Sequence, residues 1–402
     1  MNFLFICNKI PYPANDGGSI ATLNMIRGIR NHGHEVVVLA MRTLKHNFNI
    51  KDIPDEIQKE IKFHSVDVDA GTSVFAALKN YFFSKLPYNA KRFINKSFSD
   101  ELAKLLSCNN FDIIQLEGIY LAPYISIIRK HSTAKISLRA HNIEHEIWMR
   151  VAEGEKSSFK KIYIKNLSKR IRKFELSYIN KYDFLIPITE RDRKQFDLFG
   201  NNKPTYTAQA GMEFLDITNE GSSNNSLDLF HIGSLDWAPN QEGLVWFFNE
   251  VWPLVIKEYQ DLKIFVAGRN APKWLEAFFR KQKNVIYLGE IDDAKEFIKS
   301  KSIMIVPLKS GSGMRIKIVE GMSLGKVIIT TTIGMEGIDA EHGKNIFVAN
   351  EPLDFLNEIK NIIHNPELIN RVGKNAAMFI YDNFDNSKIT KGLLDFFSKN
   401  LN

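Results

Sequence analysis

The chain has 402 residues, which is too long for one ordinary hydrophobic core, so two domains are expected. Its composition, 44% hydrophobic and 25% charged, is that of a soluble globular protein. The net charge of +7 is uneven: residues 1–215 hold 32 Lys and Arg against 22 Asp and Glu, and residues 216–402 hold 21 against 24. We therefore expect the first half to face an anionic partner.

The two cysteines, Cys7 and Cys108, are too few for a disulfide scaffold and lack metal-type spacing, which favours a reducing compartment. The first apolar run, NFLFIC, follows no basic residues and is too short for a signal peptide core, so it predicts a buried strand. No stretch approaches the ~18 apolar residues that a membrane span needs. These features predict a cytoplasmic protein.

The first half has the pattern of a parallel sheet with covering helices. NFLFIC is followed by a loop with Gly17 and Gly18, a helix-like segment and a second buried strand, EVVVLAM. Further short apolar runs are FDIIQLEG, KISLRAHN and YDFLIPIT. A glycine pair that opens a helix lets an anion approach free backbone N–H groups, although a plain tight turn has the same pattern.

Past the end of the strand KISLRAHN, His141 lies where a doubly wound sheet binds ligands. It can equally be a loop histidine satisfied by backbone. A third reading takes His141, Glu144 and His145 as the H-x-x-E-H pattern of a zinc peptidase. That chemistry needs both histidines on one helical face, whereas His141 directly ends a strand, so the pattern does not favour zinc. No metal is expected.

Residues 156–181 predict a basic amphipathic helix with nine Lys and Arg and one acid, Glu175. Such a helix can lie on an anionic membrane surface, which suggests peripheral attachment to the inner face of the cytoplasmic membrane. A solvated helix that packs its apolar side on the domain has the same pattern, and both descriptions can hold at once. No nucleic-acid-binding signature is present.

The strand and helix pattern restarts after the polar segment Asn219–Asp228, which reads as a linker. The predicted strands of the second half are LFHIGSL, LKIFVAG, NVIYLGEI, IMIVPL, KVIITT and NIFVAN. The sequence therefore predicts an α/β protein with two doubly wound Rossmann-like domains, at 1–215 and 219–379. We expect the ligand site in a cleft between them.

Loops after the strands of the second domain carry glycines and donors, among them Gly233, Gly268 and Arg269. The richest is GSGMRIKIVEG, where a helix is expected to begin near Met314. Its N–H groups suit a diphosphate, and Arg315 and Lys317 would neutralise part of the charge. Glu320 could accept hydrogen bonds from a sugar diol. This combination indicates a nucleotide sugar site.

The sequence resembles the group-one, family-four retaining glycosyltransferases of the GT-B fold along nearly its whole length. The resemblance is carried by PANDGGSIATLNMIRGIRNHGHEVVVLA, LRAHNIEHEIW, AQAGMEF, HIGSLDWAPNQEGLVWF and GSGMRIKIVEGMSLGKVIITT. It implies a sugar transfer enzyme of cell-surface polysaccharide or glycoconjugate biosynthesis that uses a UDP- or GDP-sugar donor, a glycan or lipid-linked acceptor and no cofactor. It also implies that a final helix, at about 380–402, packs back on the first domain.

The resemblance assigns roles to particular residues. The catalytic set is His141, near the reacting sugar, with Arg315 and Lys317, which stabilise the leaving diphosphate. The donor-binding set is Gly17, Gly18, Gly233, Arg269, Ser312, Gly313, Met314 and Glu320, with Glu320 on the ribose. Two departures stand out: Ser312 replaces the first acid of the family's acid–seven residues–acid motif, and Ser234 follows Gly233, with no lysine nearby in the chain. Both resemble a subgroup with G-x-R-x-K-x-x-E.

Two alternatives to a transferase remain open at this point. One is a GT-B-fold nucleotide-sugar epimerase, which would have no use for a membrane-facing helix. The other is a non-catalytic nucleotide-sugar binder, prompted by Ser312.

Overall fold

The structure is a computed structural model that describes residues 1–14, 16–71, 73–155, 157–213, 227–311 and 313–401. Contacts between residues divide the chain into two compact units. The first unit comprises residues 1–213 and 384–402, and the second comprises residues 214–383. Most of the predicted linker Asn219–Asp228 lies outside the described residues, as does Ser312.

The first unit is built on a six-stranded parallel sheet. Its strands are β1 (Asn2–Cys7), β2 (Glu35–Arg42), β3 (Lys62–Asp67), β4 (Ile113–Glu117), β5 (Lys135–Ala140) and β6 (Phe184–Pro187). They lie in the order β3-β2-β1-β4-β5-β6, and all pairs are parallel. This is the strand order of a doubly wound Rossmann-like sheet, so the predicted class is confirmed.

Helices cover both faces of this sheet. They are α1 (Gly17–Asn31), α2 (Asp55–Glu60), α3 (Val74–Phe83), α4 (Tyr88–Lys91), α5 (Lys96–Cys108), α6 (Ile125–His131), α7 (Glu144–Gly154), α8 (Ser158–Tyr178) and α9 (Glu190–Leu198). Along β1, Leu4 belongs to the hydrophobic core on one side, and Phe3 and Phe5 to the core on the other. Burial on both sides explains why the strands are continuous apolar runs rather than alternating ones.

The second unit repeats the same architecture. Its strands are β7 (Leu229–Ile232), β8 (Ile264–Ala267), β9 (Val285–Gly289), β10 (Ile303–Val306), β11 (Val327–Thr330) and β12 (Phe347–Val348). The order β12-β11-β10-β7-β8-β9 is the order of the first sheet read from the other edge. Its helices are α10 (Ala238–Trp246), α11 (Trp252–Glu258), α12 (Lys273–Arg280), α13 (Ala294–Lys299), α14 (Ile316–Ser323), α15 (Pro352–His364) and α16 (Glu367–Phe384). The last residue of α16, Phe384, already belongs to the first unit.

The last helix, α17 (Asn386–Leu401), belongs to the first unit and packs on α1. The side-chain amide of Asn386 donates to the backbone oxygen of Asn24 at 2.7 Å. Gly28 leaves room for this contact, since a Cβ there would lie 2.2 Å from Thr390 Oγ1. Phe397 closes the core beside Phe3, with 5.9 Å between the ring centroids.

Two local features differ from the sequence prediction. Helix α14 begins at Ile316 rather than near Met314, because Arg315 adopts an extended backbone conformation at the N-cap. Strand β3 was not predicted. Its residues are only half-buried or exposed, so it lacks the apolar run that marks the other strands. Finally, the predicted 156–181 helix is α8, and among the described helices none is long and apolar enough to cross a bilayer.

Candidate functional site

Each sheet has one point where the strand order reverses, between β1 and β4 in the first unit and between β7 and β10 in the second. At such a point the connections that follow the two neighbouring strands run to opposite faces of the sheet. The loops after these strands therefore leave a crevice between them, which ligands occupy. The predicted site residues lie in these loops or in the helices that follow them. The two units are described in turn.

In the second unit, two glycines let the loops after β7 and β8 approach each other closely. A Cβ on Gly268 would lie 2.0 Å from the backbone oxygen of Gly233, so no other residue fits without moving that loop. Arg269 follows and donates from Nε to Ser234 Oγ at 3.0 Å. The close approach fixes Gly233 and Arg269 at the carboxyl edge of the sheet, as the sequence indicated.

Lys317 reaches back from the first turn of α14 to the end of β7. Its Nζ donates to Asn240 Oδ1 at 2.7 Å and lies 3.4 Å from His231 Nε2. It also stands beside Gly233, where a Cβ would be only 3.1 Å from Nζ. Lys317 of α14 thus places its amino group beside the loop after β7, in which the sequence has no lysine.

His231 is fully buried within β7, and its ring bridges the switch point of the sheet. Its Nδ1 lies 2.8 Å from the backbone oxygen of Ile305 on β10. A carbonyl oxygen only accepts, so Nδ1 carries the proton and Nε2 presents a lone pair to Lys317. Burial, together with the Lys317 charge, lowers the pKa of His231 well below its usual value, so the ring stays neutral.

The Lys317 ammonium is itself destabilised by its surroundings. Burial, followed by the positive charge of Arg315, lowers the pKa of Lys317 to about 7. A lysine with such a pKa is poised to gain a full proton when an anion arrives, because an opposite charge favours the ammonium form. Perturbed groups of this kind concentrate at functional sites.

Arg315 is almost fully buried at the N-cap of α14. Its Nη1 donates to the backbone oxygen of Gly313 at 2.7 Å, and its guanidinium lies 5.4 Å from the ring centre of Trp237. Gly311 and Gly313 have φ values of +108° and +79°, which glycine alone adopts easily. The loop that bears Gly313 and Met314 is therefore folded around the Arg315 side chain.

Glu320 lies on α14 three residues after Lys317, and therefore on the same side of the helix. Burial raises the pKa of its carboxyl group, although Lys295 acts in the opposite direction. A half-buried carboxylate beside a cationic pocket suits the hydroxyls of a bound sugar, with which it can form two hydrogen bonds. The second unit thus holds Gly233, Arg269, Gly313, Met314, Arg315, Lys317 and Glu320 around one edge of its sheet.

In the first unit, His141 directly follows β5 and pairs with Glu117, the last residue of β4. His141 Nε2 lies 2.7 Å from Glu117 Oε2. The same oxygen accepts from Thr22 Oγ1 at 2.8 Å, and Oε1 accepts from Gln115 Nε2 at 2.6 Å. Three elements, α1, β4 and β5, therefore fix one carboxylate and one imidazole.

Glu117 is ionised despite its burial. Desolvation opposes the charge, but Arg139 and the hydrogen bonds from His141 and Gln115 lower the pKa of Glu117 to about 2. An ionised carboxylate only accepts, so His141 donates from Nε2. The ring orientation is then set, and Nδ1 holds the lone pair whenever the ring is neutral.

Gly17 and Gly18 open α1, whose N-cap is Asp16. The Asp16 carboxylate accepts from the Ser19 backbone N–H at 3.1 Å and from Lys9 Nζ at 2.6 Å. Burial works against its charge, but Lys9 and Ser19 lower the pKa of Asp16 to about 2. A contact between the glycine pair and donor phosphates stays a prediction.

The three residues of the H-x-x-E-H pattern separate into different contacts. His141 pairs with Glu117, whereas His145 Nδ1 lies 2.5 Å from Glu175 Oε2 on α8. Glu144 is half-buried near the same carboxylate, and desolvation together with Glu175 raises its pKa to about 7. Over the part of the chain that the structure describes, no group of three or more His, Cys, Asp or Glu could hold a metal ion.

Two important residues, Glu117 and His231, were missed in the sequence. Glu117 ends the strand IIQLE and precedes Gly118, and His231 interrupts the apolar strand LFHI one residue before its end. A polar residue at the carboxyl end of a parallel strand was the available signal, because ligands bind at that edge.

Two Rossmann-like units of this strand order, with glycine loops and cations at the switch points, define the GT-B fold. Residues 226–365 match the family model described as glycosyl transferases group 1. The matched residues lie in the second unit, and the match supports the predicted class.

Known proteins of the same overall fold cover nearly the whole chain. HepE of Anabaena, solved with UDP and with UDP-glucose, superposes with a TM-score of 0.66 at 14% identity, over 99% of this chain and 100% of the other. TarM superposes with a TM-score of 0.70 at 12% identity, over 99% of each chain. In sequence, an uncharacterised 44.6 kDa protein of the cps region of Klebsiella pneumoniae is 24% identical over 96% of this chain and 97% of its own length.

Proposed function

We propose that the protein is a retaining glycosyltransferase that moves a sugar from a nucleotide-diphosphate sugar to a glycan or lipid-linked acceptor in cell-surface polysaccharide biosynthesis. The observation that carries the proposal is the arrangement on α14: Arg315 and Lys317 at its start and Glu320 one turn later. It lies in the group 1 domain, at the switch point of the sheet. The cps-region relative and the UDP-glucose complex of HepE support it.

The chemistry follows from where the charge develops. When the bond between the sugar and the diphosphate breaks, negative charge builds up on the leaving oxygen. Arg315 and Lys317 stabilise that charge, which is usually the largest contribution to catalysis of group transfer. In a retaining reaction the acceptor attacks from the face of the leaving group, so the diphosphate oxygen can take the acceptor proton. The chain supplies cations for this step and needs no metal.

His141 and Glu117 serve the sugar rather than the diphosphate. A Glu117 carboxylate fixed by three donors holds the imidazole in one orientation. His141 then presents its other ring edge to the reacting sugar, which positions the anomeric carbon. Glu320 binds the ribose of the donor by accepting hydrogen bonds from the two ribose hydroxyls.

The test is a panel of nucleotide sugars, screened by thermal shift and then assayed for nucleotide release with and without supplied glycan and lipid-linked acceptors. Release that depends on an acceptor and persists in EDTA supports the proposal. Conversion of one nucleotide sugar into its epimer would establish the epimerase alternative instead. Binding without turnover of any donor on any acceptor would indicate a nucleotide-sugar binder.

A further inference from the structure

We propose that the first unit docks on an anionic lipid bilayer through one apolar and cationic face, formed by α3 and the first turns of α8. This α3–α8 face comprises six exposed apolar side chains: Phe75, Leu78, Phe82, Phe83, Phe159 and Ile162. Their exposed fractions range from 47% to 88%. Single exposed apolar residues are ordinary, but a contiguous group marks an interaction surface.

Contacts on the inner side of α3 place the two helices side by side. The Tyr81 ring lies 5.9 Å from that of Tyr163 on α8, and Arg170 Nη2 donates to the backbone oxygen of Leu86 at 2.8 Å. Phe75, Leu78 and Phe82 are exposed and have the i, i+3 and i+7 spacing of one helical face, next to Tyr81. The apolar residues of the two helices therefore belong to one surface.

The charges around this face have a single sign. Residues 70–99 contain five Lys or Arg and no Asp or Glu, and residues 157–174 contain seven and none. Lys79, Lys85, Lys160, Lys165 and Lys169 are exposed. The nearest acids in the chain are Asp69, Asp100, Glu153, Glu155 and Glu175, and Glu175 is buried against His145. Phenylalanine side chains framed by lysines suit the headgroup region of an anionic membrane.

The same charges argue against a second copy of the chain as the occupant. Two such faces brought together would place the exposed lysines of one copy, at 79, 85, 160, 165 and 169, against those of the other. Burying like charges against each other costs free energy that the apolar contact would have to offset. A bilayer with anionic lipids accepts both the phenylalanines and the lysines.

The face differs from the basic helix predicted in the sequence. Leu167, Ile171 and Phe174 of that helix are buried in the unit, so only its first turns offer apolar side chains. Most of the apolar contact comes from α3, which the sequence prediction did not single out. The inference stands apart from the proposed sugar transfer, since membrane docking is measured without substrate.

The apolar part is tested by co-sedimentation of the full chain with vesicles of phosphatidylcholine alone or mixed with phosphatidylglycerol. We expect binding to the mixed vesicles and a loss of at least about tenfold in the partition coefficient for Phe75→Ser with Phe82→Ser. Leu198→Ser is the matched control, because Leu198 is an exposed leucine, at 77%, on α9 of the same unit. Equal losses in control and test variants would overturn the inference.

The cationic part has its own matched pair. Lys79→Gln with Lys165→Gln should lower the partition coefficient about tenfold, whereas Lys391→Gln with Lys399→Gln on α17 should not. Thermal unfolding of each variant checks that the fold is retained. Equal binding to neutral and anionic vesicles would contradict the proposal. So would a parent dimer that Phe75→Ser with Phe82→Ser converts to a monomer in sedimentation velocity, since the face would then join two copies.

Discussion

Lys317 is the residue whose ionisation the site controls most directly. Its depressed pKa means that the free enzyme loses this cation as the pH rises through about 7. The diphosphate of an intact nucleotide sugar stays ionised throughout this range. We therefore expect kcat/KM for the donor to fall about tenfold per pH unit above pH 7, because that parameter reports the free enzyme.

Lys317→Arg is the informative variant, since a guanidinium keeps its charge at these pH values. The fall in kcat/KM should disappear from its pH profile even if its rate at pH 7 is lower. If kcat/KM of Lys317→Arg still falls with pH at the same midpoint as in the parent, the titrating group is a different residue.

Glu320 is expected to recognise the ribose of the donor. The nucleoside diphosphate selected by the thermal shift panel should bind at least tenfold more weakly to Glu320→Ala, because two hydrogen bonds to a charged acceptor are lost. Calorimetry with the 2′,3′-dideoxy nucleotide provides the control. The dideoxy analogue should bind parent and variant alike, and a further loss in Glu320→Ala would contradict the ribose role.

Glu117 is expected to act on catalysis through His141. Glu117→Gln keeps the shape but weakens a charge-assisted hydrogen bond, and kcat should fall 10- to 100-fold while nucleotide affinity is unchanged. The double variant with His141→Ala should be no slower than His141→Ala alone. Glu175→Gln, which affects the equivalent pair with His145, should instead lower stability with little change in kcat. Additive losses for Glu117 and His141 would refute the positioning role.

At the scale of residues, the sequence predicts an arrangement correctly where the residues concerned are close together in the chain. Lys317 and Glu320 are three residues apart on α14, so their arrangement follows from helical spacing. Glu117 and His141 are 24 residues apart, and Thr22 is 95 residues from Glu117. Their contact depends on strand order, which no local pattern encodes.

At the scale of elements, the contact between α1 and α17 rests on a glycine. Gly28→Ala would place a methyl group against Thr390, so we expect the free energy of unfolding to fall by about 1–3 kcal/mol. Gly154→Ala is the matched control, since no atom lies within 4 Å of a Cβ there. Because alanine is the better helix former, that variant should gain ~0.5–1 kcal/mol. Denaturant unfolding compares the two. Equal responses would show that α1 and α17 are not in close contact.

The strands themselves could be predicted because most are buried on both faces. NFLFIC and EVVVLAM became β1 and β2 with nearly unchanged bounds. β3 was not predicted because KFHSVD is never fully buried and carries polar residues on both sides. The apolar face of α3 was missed for a related reason: a hydrophobic run reads as core unless the surrounding structure shows that nothing covers it.

At the scale of the whole molecule, each unit has its own core, so their stabilities should be separable. Phe397 and Phe279 are both fully buried, in the first and second unit respectively. Phe397→Ala should destabilise the first unit by about 3–5 kcal/mol and leave nucleotide affinity intact. Phe279→Ala should destabilise the second unit and lower nucleotide affinity. Thermal scans with and without nucleotide distinguish the two transitions. Equal loss of nucleotide affinity in both variants would contradict donor binding by the second unit.

The two-unit organisation was visible in the sequence as a repeated strand and helix pattern. The structure adds that both sheets have the same strand order, which places one switch point, and so one candidate ligand crevice, in each unit. Donor base, sugar and acceptor are not encoded in that order, because they depend on side chains that line the loops. The matched segment at 226–365 and the α14 residues support the proposed sugar transfer but do not identify the sugar.

The central claim, retaining transfer from a nucleotide sugar, is tested most directly by proton NMR of the reaction with the donor selected by the panel and an acceptor that promotes nucleotide release. The account predicts one nucleoside diphosphate released per glycosidic bond formed, with the anomeric configuration of the donor kept in the first product. It also predicts that Arg315→Ala and Lys317→Ala each lower the rate by at least about a hundredfold. A product of inverted configuration would contradict the retaining mechanism. Nucleotide release without any new glycosidic bond would contradict transfer itself.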